Sequence, residues 1–506
     1  MKRMGCALLV SSMGFAAGCA VGPHYHRPDP PADAGYAPAP LPETSASAPI
    51  HGGEAQRLVT GQDIRFEWWR LFNSAALDAL VERAFKANPT ITAAQAALVQ
   101  AQELVYAQQG YFFPTLGANY NFQRTKIAGN FTVDDSPGTQ GNGDNLNPPL
   151  LDLNKSPHTA PLYYDYHTAE LTVGFVPDVF GANRRQVESL AAQRDVQRFA
   201  LEATYVTLAS NIVAAAIQEA SLRAQIEATL QIIVAEEKSL QILRDQFRLG
   251  FAMRIDVAAQ ETALAQAKAT LPPLQEQLEQ TRDLIRALAG NLPNQDVAET
   301  FELDALQLPP ELPLSLPAKI IAQRPDVRAA GAQLRAANAQ VGVAVAALLP
   351  QFSITGTNGG NADQFAWMFR KGGPFWSLVG NVSQPLFEGG TLLHRKRAAD
   401  EALKQAAAQY QSSVLTAYQN VADTLHASLS DAAALAADVR AENAARVTYD
   451  LTQRQMDAGY VSYLTLLNAE TTYRQALILR VQAQATRFGD TVALFQALGG
   501  GWWNRT

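Results

Sequence analysis

Residues of the kinds that bind metals or phosphates occur in this sequence, but their spacing predicts neither chemistry. The seven histidines show no pair with the spacing of zinc proteases. Gly389-Gly390-Thr391 lacks the lysine and the spacing of a phosphate loop. Four aspartates lie in a loop rich in Gly and Asn, where a solvated acidic loop is favoured over a weak calcium site: Asp134, Asp135, Asp144 and Asp152. The sequence therefore predicts no enzyme, no catalytic residue, no metal site and no cofactor held by side chains.

Cys19 has a context that predicts lipid attachment. Residues 1–18 have the features of a signal peptide, with Lys2 and Arg3 before an apolar run that is too short to span a bilayer. Ala16-Ala17-Gly18 directly before Cys19 resembles a bacterial lipobox. We expect diacylglycerol and palmitate on Cys19; a cleaved signal with an incidental cysteine is the alternative. Cys6 leaves with the signal peptide, so no internal disulfide can form.

Charge and hydropathy exclude two classes of protein. The mature chain carries 38 basic and 47 acidic residues, a formal charge of −9, which argues against nucleic-acid binding. Outside the signal region no apolar run reaches the length of about 18 residues that a membrane helix requires. Any membrane crossing is therefore expected to be made by strands.

The chain contains one unit written twice. Pro89 and Pro114 lie 25 residues apart, and Pro325 and Pro350 repeat that spacing in similar surroundings. Further along the chain, equivalent positions of the two copies lie 209 residues apart, so that Gly250 matches Gly459. Such a repeat predicts two similar structural units around a common axis rather than a catalytic domain beside a binding domain.

Each repeat contains two short segments of alternating polarity. The first has Leu116, Ala118, Tyr120 and Phe122 between polar or small residues, and the others centre on Leu171, Phe352 and Leu378. This period of two predicts strands with one apolar and one polar face. Aromatic residues near the strand ends suit a membrane interface: Tyr163, Tyr164, Tyr166, Trp367, Phe369 and Phe375. Two amphipathic hairpins covering a soluble core are the alternative.

A long helical segment without proline follows each pair of strands. The two segments run from about residue 184 to 248 and from about 392 to 457. At 1.5 Å per residue, each predicts a rod of about 100 Å. In each segment apolar residues recur at alternating intervals of three and four positions, beginning at Phe199 and at Leu415, and this spacing is typical of coiled coils. Each rod ends at a glycine, Gly250 or Gly459, and returns as a shorter helix, the first interrupted by Pro272-Pro273.

Four strands cannot close a barrel, and open sheet edges in lipid leave backbone groups without partners. Several copies are therefore expected to share one barrel. With the polar strand faces inward, that barrel would be a water-filled pore that the rods extend into the periplasm.

Five motifs carry a resemblance to a known family: Cys19-Ala-Val-Gly-Pro-His-Tyr-His-Arg-Pro28, Trp68-Trp-Arg-Leu-Phe72, Gln323-Arg-Pro-Asp-Val-Arg328, Gln384-Pro-Leu-Phe-Glu-Gly-Gly390 and Ala497-Leu-Gly-Gly-Gly-Trp502. The chain resembles the TolC-type outer-membrane factors, specifically the NodT-like lipoprotein branch. The resemblance implies a mainly α fold with a β-barrel: a homotrimer whose 12-stranded barrel continues into an α-helical periplasmic barrel. It also implies docking to a periplasmic adaptor protein and an inner-membrane pump, usually of the resistance-nodulation-division type.

The resemblance assigns roles to the turns at the ends of the rods. Leu249-Gly250-Phe251 and Ala458-Gly459-Tyr460 resemble the turns that contact the adaptor, although each glycine also suits a helix-ending turn. Asp256 matches an acidic residue of the periplasmic gate, with a helix N-cap as the alternative. Thr465 and Asn468 stand where some relatives have a ring of acids that favours cations.

These observations predict an outer-membrane exit duct of a tripartite efflux system in a Gram-negative bacterium. The expected segments are a signal peptide (1–18), a lipid-anchored extended tether (19–66), a first repeat (67–300) and a second repeat (301–506). Strands are expected near 115–125, 168–177, 351–358 and 375–384. The exit duct of a type I secretion system and a non-conducting coiled-coil tether are the alternatives.

Overall fold

The computed structural model describes residues 20–29, 35–127 and 162–505. Its strands are β1 (Arg57–Thr60), β2 (Thr115–Ile127), β3 (Leu162–Phe175), β4 (Glu311–Leu314), β5 (Gln351–Ala362) and β6 (Pro374–Ser383). Its helices are α1 (Ala75–Ala87), α2 (Pro89–Gln109), α3 (Ala182–Arg248), α4 (Arg254–Leu288), α5 (Pro317–Gln323), α6 (Pro325–Ala346), α7 (Thr391–Asp457) and α8 (Tyr463–Ala497). Both halves follow one order: two helices, two long strands, a 67-residue helix and a 35-residue helix.

The described residues form two compact units, and each unit takes residues from both repeats. The first comprises 20–25, 102–127, 162–191 and 335–403, and the second comprises 26–29, 35–101, 192–334 and 404–505. Equivalent elements of the two halves are therefore packed together, as expected when neither copy can bury its apolar surface alone.

The first unit contains an antiparallel sheet in the order β2-β3-β5-β6. Polar and apolar residues alternate along these segments. In a strand this alternation places the apolar side chains on one face and the polar side chains on the other. β3 begins at Leu162, six residues before the alternation predicted, so Tyr163, Tyr164 and Tyr166 lie within the strand. They extend the ladder by pairing with Lys126, Thr125 and Gln123.

The second unit is mainly helical, and buried stripes run along its two longest helices. In α3, Phe199, Val206, Val213 and Ala220 are buried as the three-and-four spacing predicts. In α7 the buried stripe is Val414, Ala417, Val421, Leu425, Ser428, Ala432, Leu435 and Val439. The stripe predicted from Leu415 was wrong at its start, since Leu415 is 69% exposed. Alanine-rich sequence leaves two neighbouring stripes equally apolar, so periodicity alone could not separate them.

Helix α4 runs unbroken through Pro272-Pro273, where the sequence predicted an interruption. A proline inside a helix removes a hydrogen bond to the residue four positions earlier. Lys268 and Ala269, whose carbonyls lose their donors, are exposed, as are both prolines. Water can therefore satisfy the freed carbonyl groups, and the helix continues.

Residues 35–60 are extended, but most of the segment is bound to the second unit rather than hanging free. β1 pairs in parallel with β4, and the Gln56 side chain donates to the carbonyl of Pro309 at 3.1 Å. Arg487 of α8 is 1% exposed and donates to the carbonyls of Ala46 and Glu54 and to Ser45 Oγ. A composition rich in Pro, Ala and Gly predicts the lack of helix, but not these specific contacts.

Candidate functional site

The four-stranded sheet has one polar face, which the strand register defines. Residues paired directly across a ladder point to the same side. Asn119 pairs with Glu170, Glu170 with Gly359, and Gly359 with Phe375. The rest of this face is Thr115, Gly117, Asn121, Gln123, Thr125, Tyr164, Tyr166, Thr168, Thr172, Gly174, Gln351, Ser353, Thr355, Thr357, Asn361, Ser377, Val379, Asn381 and Ser383. Hydroxyl and amide groups dominate it, so this face suits contact with water.

The opposite face is apolar and exposed. Leu116, Trp376 and Leu378 are 72%, 76% and 70% exposed, respectively. Rings gather on the same face, where the Tyr120 hydroxyl lies 2.9 Å from Nδ1 of His167. Large apolar side chains on a sheet surface are stable in contact with lipid, and aromatic rings suit its interface with water.

Both edges of this sheet are unpaired within the described residues. β2 and β6 each pair with a neighbour on one side, namely β3 and β5. In a membrane the backbone groups along such edges require partners, because no water reaches them there. An edge β2 and an edge β6 from separate copies can supply those partners.

The turns between the long and short helices are alike in both halves. Gly250 and Gly459 have φ values of +81° and +78°. Gly250 N donates to Phe247 O and Phe251 N to Gln246 O, and Gly459 N and Tyr460 N repeat both bonds with Met456 O and Gln455 O. This pair of bonds is the Schellman arrangement that ends a helix at a left-handed residue.

The residues predicted to contact an adaptor lie at these turns and are exposed. Phe251 and Tyr460 are each 82% exposed, and Leu249 is 71% exposed. Ala458 is also exposed. The helix-ending role of the glycines is therefore present, and the adjoining side chains remain available for an interaction.

Asp256 and Thr465 lie in the first turns of α4 and α8, and Asn468 lies in the second turn of α8. Asp256 is the third residue of α4, and its Oδ2 accepts a hydrogen bond from the Met253 backbone N–H at 3.1 Å. Thr465 N donates to Oγ of Ser462, the N-cap of α8, at 3.4 Å. Thr465 and Asn468 are exposed. Asp256 thus stabilises a helix start, and one carboxylate oxygen makes that contact.

The sequence analysis missed a buried polar network on the same helices. Glu236 of α3 and Gln260 of α4 are both 0% exposed and hydrogen-bonded to each other. Tyr463 donates to Gln260, and Arg474 forms ion pairs with both Glu236 and Glu470. The network therefore joins α3, α4 and α8.

One guanidinium faces two buried carboxylates in this network. Burial raises the pKa of Glu470 to about 7, because loss of contact with water disfavours the charged carboxylate. Burial also lowers the pKa of Arg474 to about 10. Glu470 matches Glu261 in the internal repeat, but Glu261 forms an ion pair with Arg244 at the surface. The repeat therefore identifies the two positions as equivalent but does not predict that Glu470 is buried.

Cys19 and the signal peptide lie outside the described residues, as do Asp134, Asp135, Asp144 and Asp152. The residues directly after Cys19 are held firmly. Val21 N donates to the carbonyl of Phe180 at 3.1 Å, and Arg185 donates to the carbonyls of Val21 and Gly22 at 2.9 and 3.4 Å. Gly22 has a φ of +98°, and a Cβ there would lie 2.4 Å from the Cα of Gly342. Val21 and Gly22 therefore lie beside the N-terminus of α3.

Two further properties of the described residues bear on function. No group of three or more His, Cys, Asp or Glu residues within them could hold a metal ion. Part of α3 is apolar and long enough to cross a membrane by composition alone, but most of that part is buried, as in the core helix of a folded protein.

Comparison with known proteins gives one consistent result. The family model described as "Outer membrane efflux protein" matches residues 80–291 and 316–500. The pyoverdine export outer membrane proteins OpmQ of Pseudomonas putida and Pseudomonas aeruginosa are 26% and 28% identical; the matches cover 92% of this chain and 94% of each relative. The probable efflux pump outer membrane protein TtgC of Pseudomonas putida is 25% identical, over 97% of this chain and 94% of its own.

Solved structures show the same fold. The outer-membrane channel OprN superposes with a TM-score of 0.81 at 25% identity, over 96% of this chain and all of that one. The CmeC outer membrane channel of Campylobacter jejuni gives 0.79 at 19% identity, over 96% and 95% of the two chains.

Proposed function

Because this chain belongs to the outer membrane efflux protein family, we propose that it is the outer-membrane exit duct of a tripartite efflux system. The polar strand face is the single observation that carries the proposal. Four strands with one polar face, one lipid-compatible face and two unpaired edges form a closed pore once several copies join. The homotrimer expected for this fold supplies four strands from each of three copies. The duct conducts passively and catalyses no reaction.

Channels of this family work with efflux pumps and adaptors. We propose that the two helical turns are the adaptor contacts here. The support is the matching backbone geometry of Gly250 and Gly459 and the exposure of Phe251 and Tyr460. Two equivalent turns per chain would give a trimer six similar docking points. The pump is proposed to be of the resistance-nodulation-division type.

We further propose that the duct is anchored by lipid on Cys19. The ordered contacts of Val21 and Gly22 support this, since they hold the start of the mature chain beside the first turns of α3. The gate at the turns is proposed to involve Asp256 together with the neutral Thr465 and Asn468.

Purified protein in detergent and in planar bilayers tests the duct. We expect a trimer by light scattering and discrete conductance steps after reconstitution. Deleting the gene should increase sensitivity to exported compounds, and the plasmid-borne gene should restore resistance. A folded monomer that gives no conductance would overturn the proposal.

A further inference from the structure

Glu170 is the one charged residue on the polar face of the described strands. It lies within β3, eight residues after Leu162 and five before Phe175. The charged residues Arg124, Lys126 and Asp165 belong to the other face and lie near the opposite end of the strands from α3. Arg124 and Asp165 form an ion pair there, with Nε 3.5 Å from Oδ1. That pair does not neutralise Glu170.

The residues paired with Glu170 on the two neighbouring described strands carry no charge. Its direct neighbour on β5 is Gly359. A Cβ at position 359 would lie 2.4 Å from the carbonyl oxygen of Ala169 and 2.9 Å from Cα and Cβ of Glu170. No larger side chain fits there without a shift of the backbone. The neighbour on β2 is the neutral Asn119. The carboxylate can therefore extend from the face without an adjacent cation.

We propose that Glu170 determines the charge preference of the bore. This rests on the proposed function, because a bore exists only if copies share one barrel. Threefold symmetry then places three Glu170 carboxylates at one level, forming a ring that attracts cationic solutes and repels anions. The field of such a ring reaches about 8 Å at physiological salt, the Debye length, and about 3 Å at 1 M salt.

The second helical turn supplies no acidic ring of its own. Thr465 and Asn468 are neutral, and Asp256 uses one carboxylate oxygen to bond the Met253 N–H. The strands therefore provide a fixed-charge ring even without an acidic ring at the second turn.

Reversal potentials across a KCl gradient in planar bilayers test the proposal. Glu170→Gln keeps the size of the side chain and removes its charge, so the ratio of potassium to chloride permeability should fall about twofold at low salt and change little at 1 M salt. Glu170→Lys should reverse the preference. Asp165→Asn is the matched control, because it removes a carboxylate from the other face of the same strand. Equal reversal potentials with and without Glu170→Gln, both in the wild-type background and in the Asp256→Ala background, would overturn the proposal.

The same measurement is repeated with Asp256→Ala in both proteins. This comparison shows whether the charge of Asp256 at the turn masks the effect of Glu170 on ion selectivity. If Glu170→Gln changes nothing in either background, the bore charge does not set selectivity and the proposal fails. Loss of conductance or of the trimer in the wild type itself would instead overturn the proposed function.

Cysteine labelling checks which way the side chain faces. The mature wild-type chain has Cys19 as its only cysteine, so an introduced thiol is easily distinguished. A membrane-impermeant maleimide should modify Glu170→Cys and spare Leu171→Cys, whose side chain points to the other face. Equal labelling of the two variants, or labelling of Leu171→Cys alone, would contradict the assigned bore face.

Discussion

Arg282 and Glu219 form a buried ion pair between α4 and α3, with Nη1 of Arg282 3.0 Å from Oε1 of Glu219. The side chains are 8% and 0% exposed. The same guanidinium donates at 2.7 Å to Oδ1 of Asp296 and to the carbonyl of Val297. One side chain thus holds two helices and the segment that follows α4.

Glu219→Ala should destabilise the protein by about 3 kcal/mol, because buried Arg282 would keep only the exposed carboxylate of Asp296 as a counterion. Denaturation in detergent, followed by circular dichroism, measures the loss. Asp283→Asn is the control: it removes an exposed partner of Arg286, 2.7 Å away, and should cost about 1 kcal/mol or less. Similar losses of stability in the two variants would show that the buried Arg282–Glu219 pair stabilises the protein no more than an exposed pair does.

Stability should depend on pH through Glu470. Burial raises its pKa to about 7 from the ordinary value of 4.5, so between those pH values the folded state holds a proton that the unfolded state releases. The contribution is therefore fully present below pH 4.5 and falls as pH rises to about 7, by about 3 kcal/mol. Melting temperatures across this range should decline less in Glu470→Gln. The matched Glu261→Gln, at the surface of the first hairpin, should keep the wild-type slope.

Gly250→Ala should loosen the first turn. A Cβ there meets nothing within 4 Å, so the cost comes from the φ of +81° and should be about 1–2 kcal/mol. Hydrogen exchange of the Phe251 amide, which bonds Gln246 O at 2.8 Å, should become faster. Gly489→Ala is the control, since this helical glycine also has open space around its Cβ. That change should stabilise α8 by about 1 kcal/mol.

Asp256→Ala should increase single-channel conductance, since it removes both a helix cap worth about 1 kcal/mol and a charge at the turn. Asp256→Asn should have a smaller effect, because the amide oxygen can still accept the hydrogen bond from Met253. Conductance that is unchanged in both variants would exclude Asp256 from the gate.

Cys19→Ser should abolish metabolic labelling with palmitate. The barrel itself should still reach the outer membrane, because its apolar strand face remains. Membrane fractionation checks the second expectation. Palmitate on the serine variant would refute the assignment of Cys19 as the acylated residue.

The sequence predicted those elements whose pattern is local. Alternation around Leu116 and Leu171 indicated the strands, and the register confirms that both residues lie on one face. The helix end at Gly250 follows from residue type and also agrees with the structure. Such features depend on neighbours in sequence, which periodicity reports directly.

Contacts between distant segments could not be predicted in this way. Gln260 and Glu236 are ordinary polar residues of helical sequence, yet both are fully buried. Arg487 binds a segment more than 430 positions earlier. Burial of this kind depends on which helices become neighbours, and a single sequence carries no local pattern for that choice.

The attachment of residues 45–57 imposes an order on biogenesis. Their fixed positions depend on Pro309, Glu311 and Arg487, which are synthesised much later than this segment. Before those residues are synthesised, residues 45–57 lack the partners that hold them in the folded protein. Residues 45–57 therefore take their final conformation only after α8 has been synthesised, although they precede almost all of the elements that hold them.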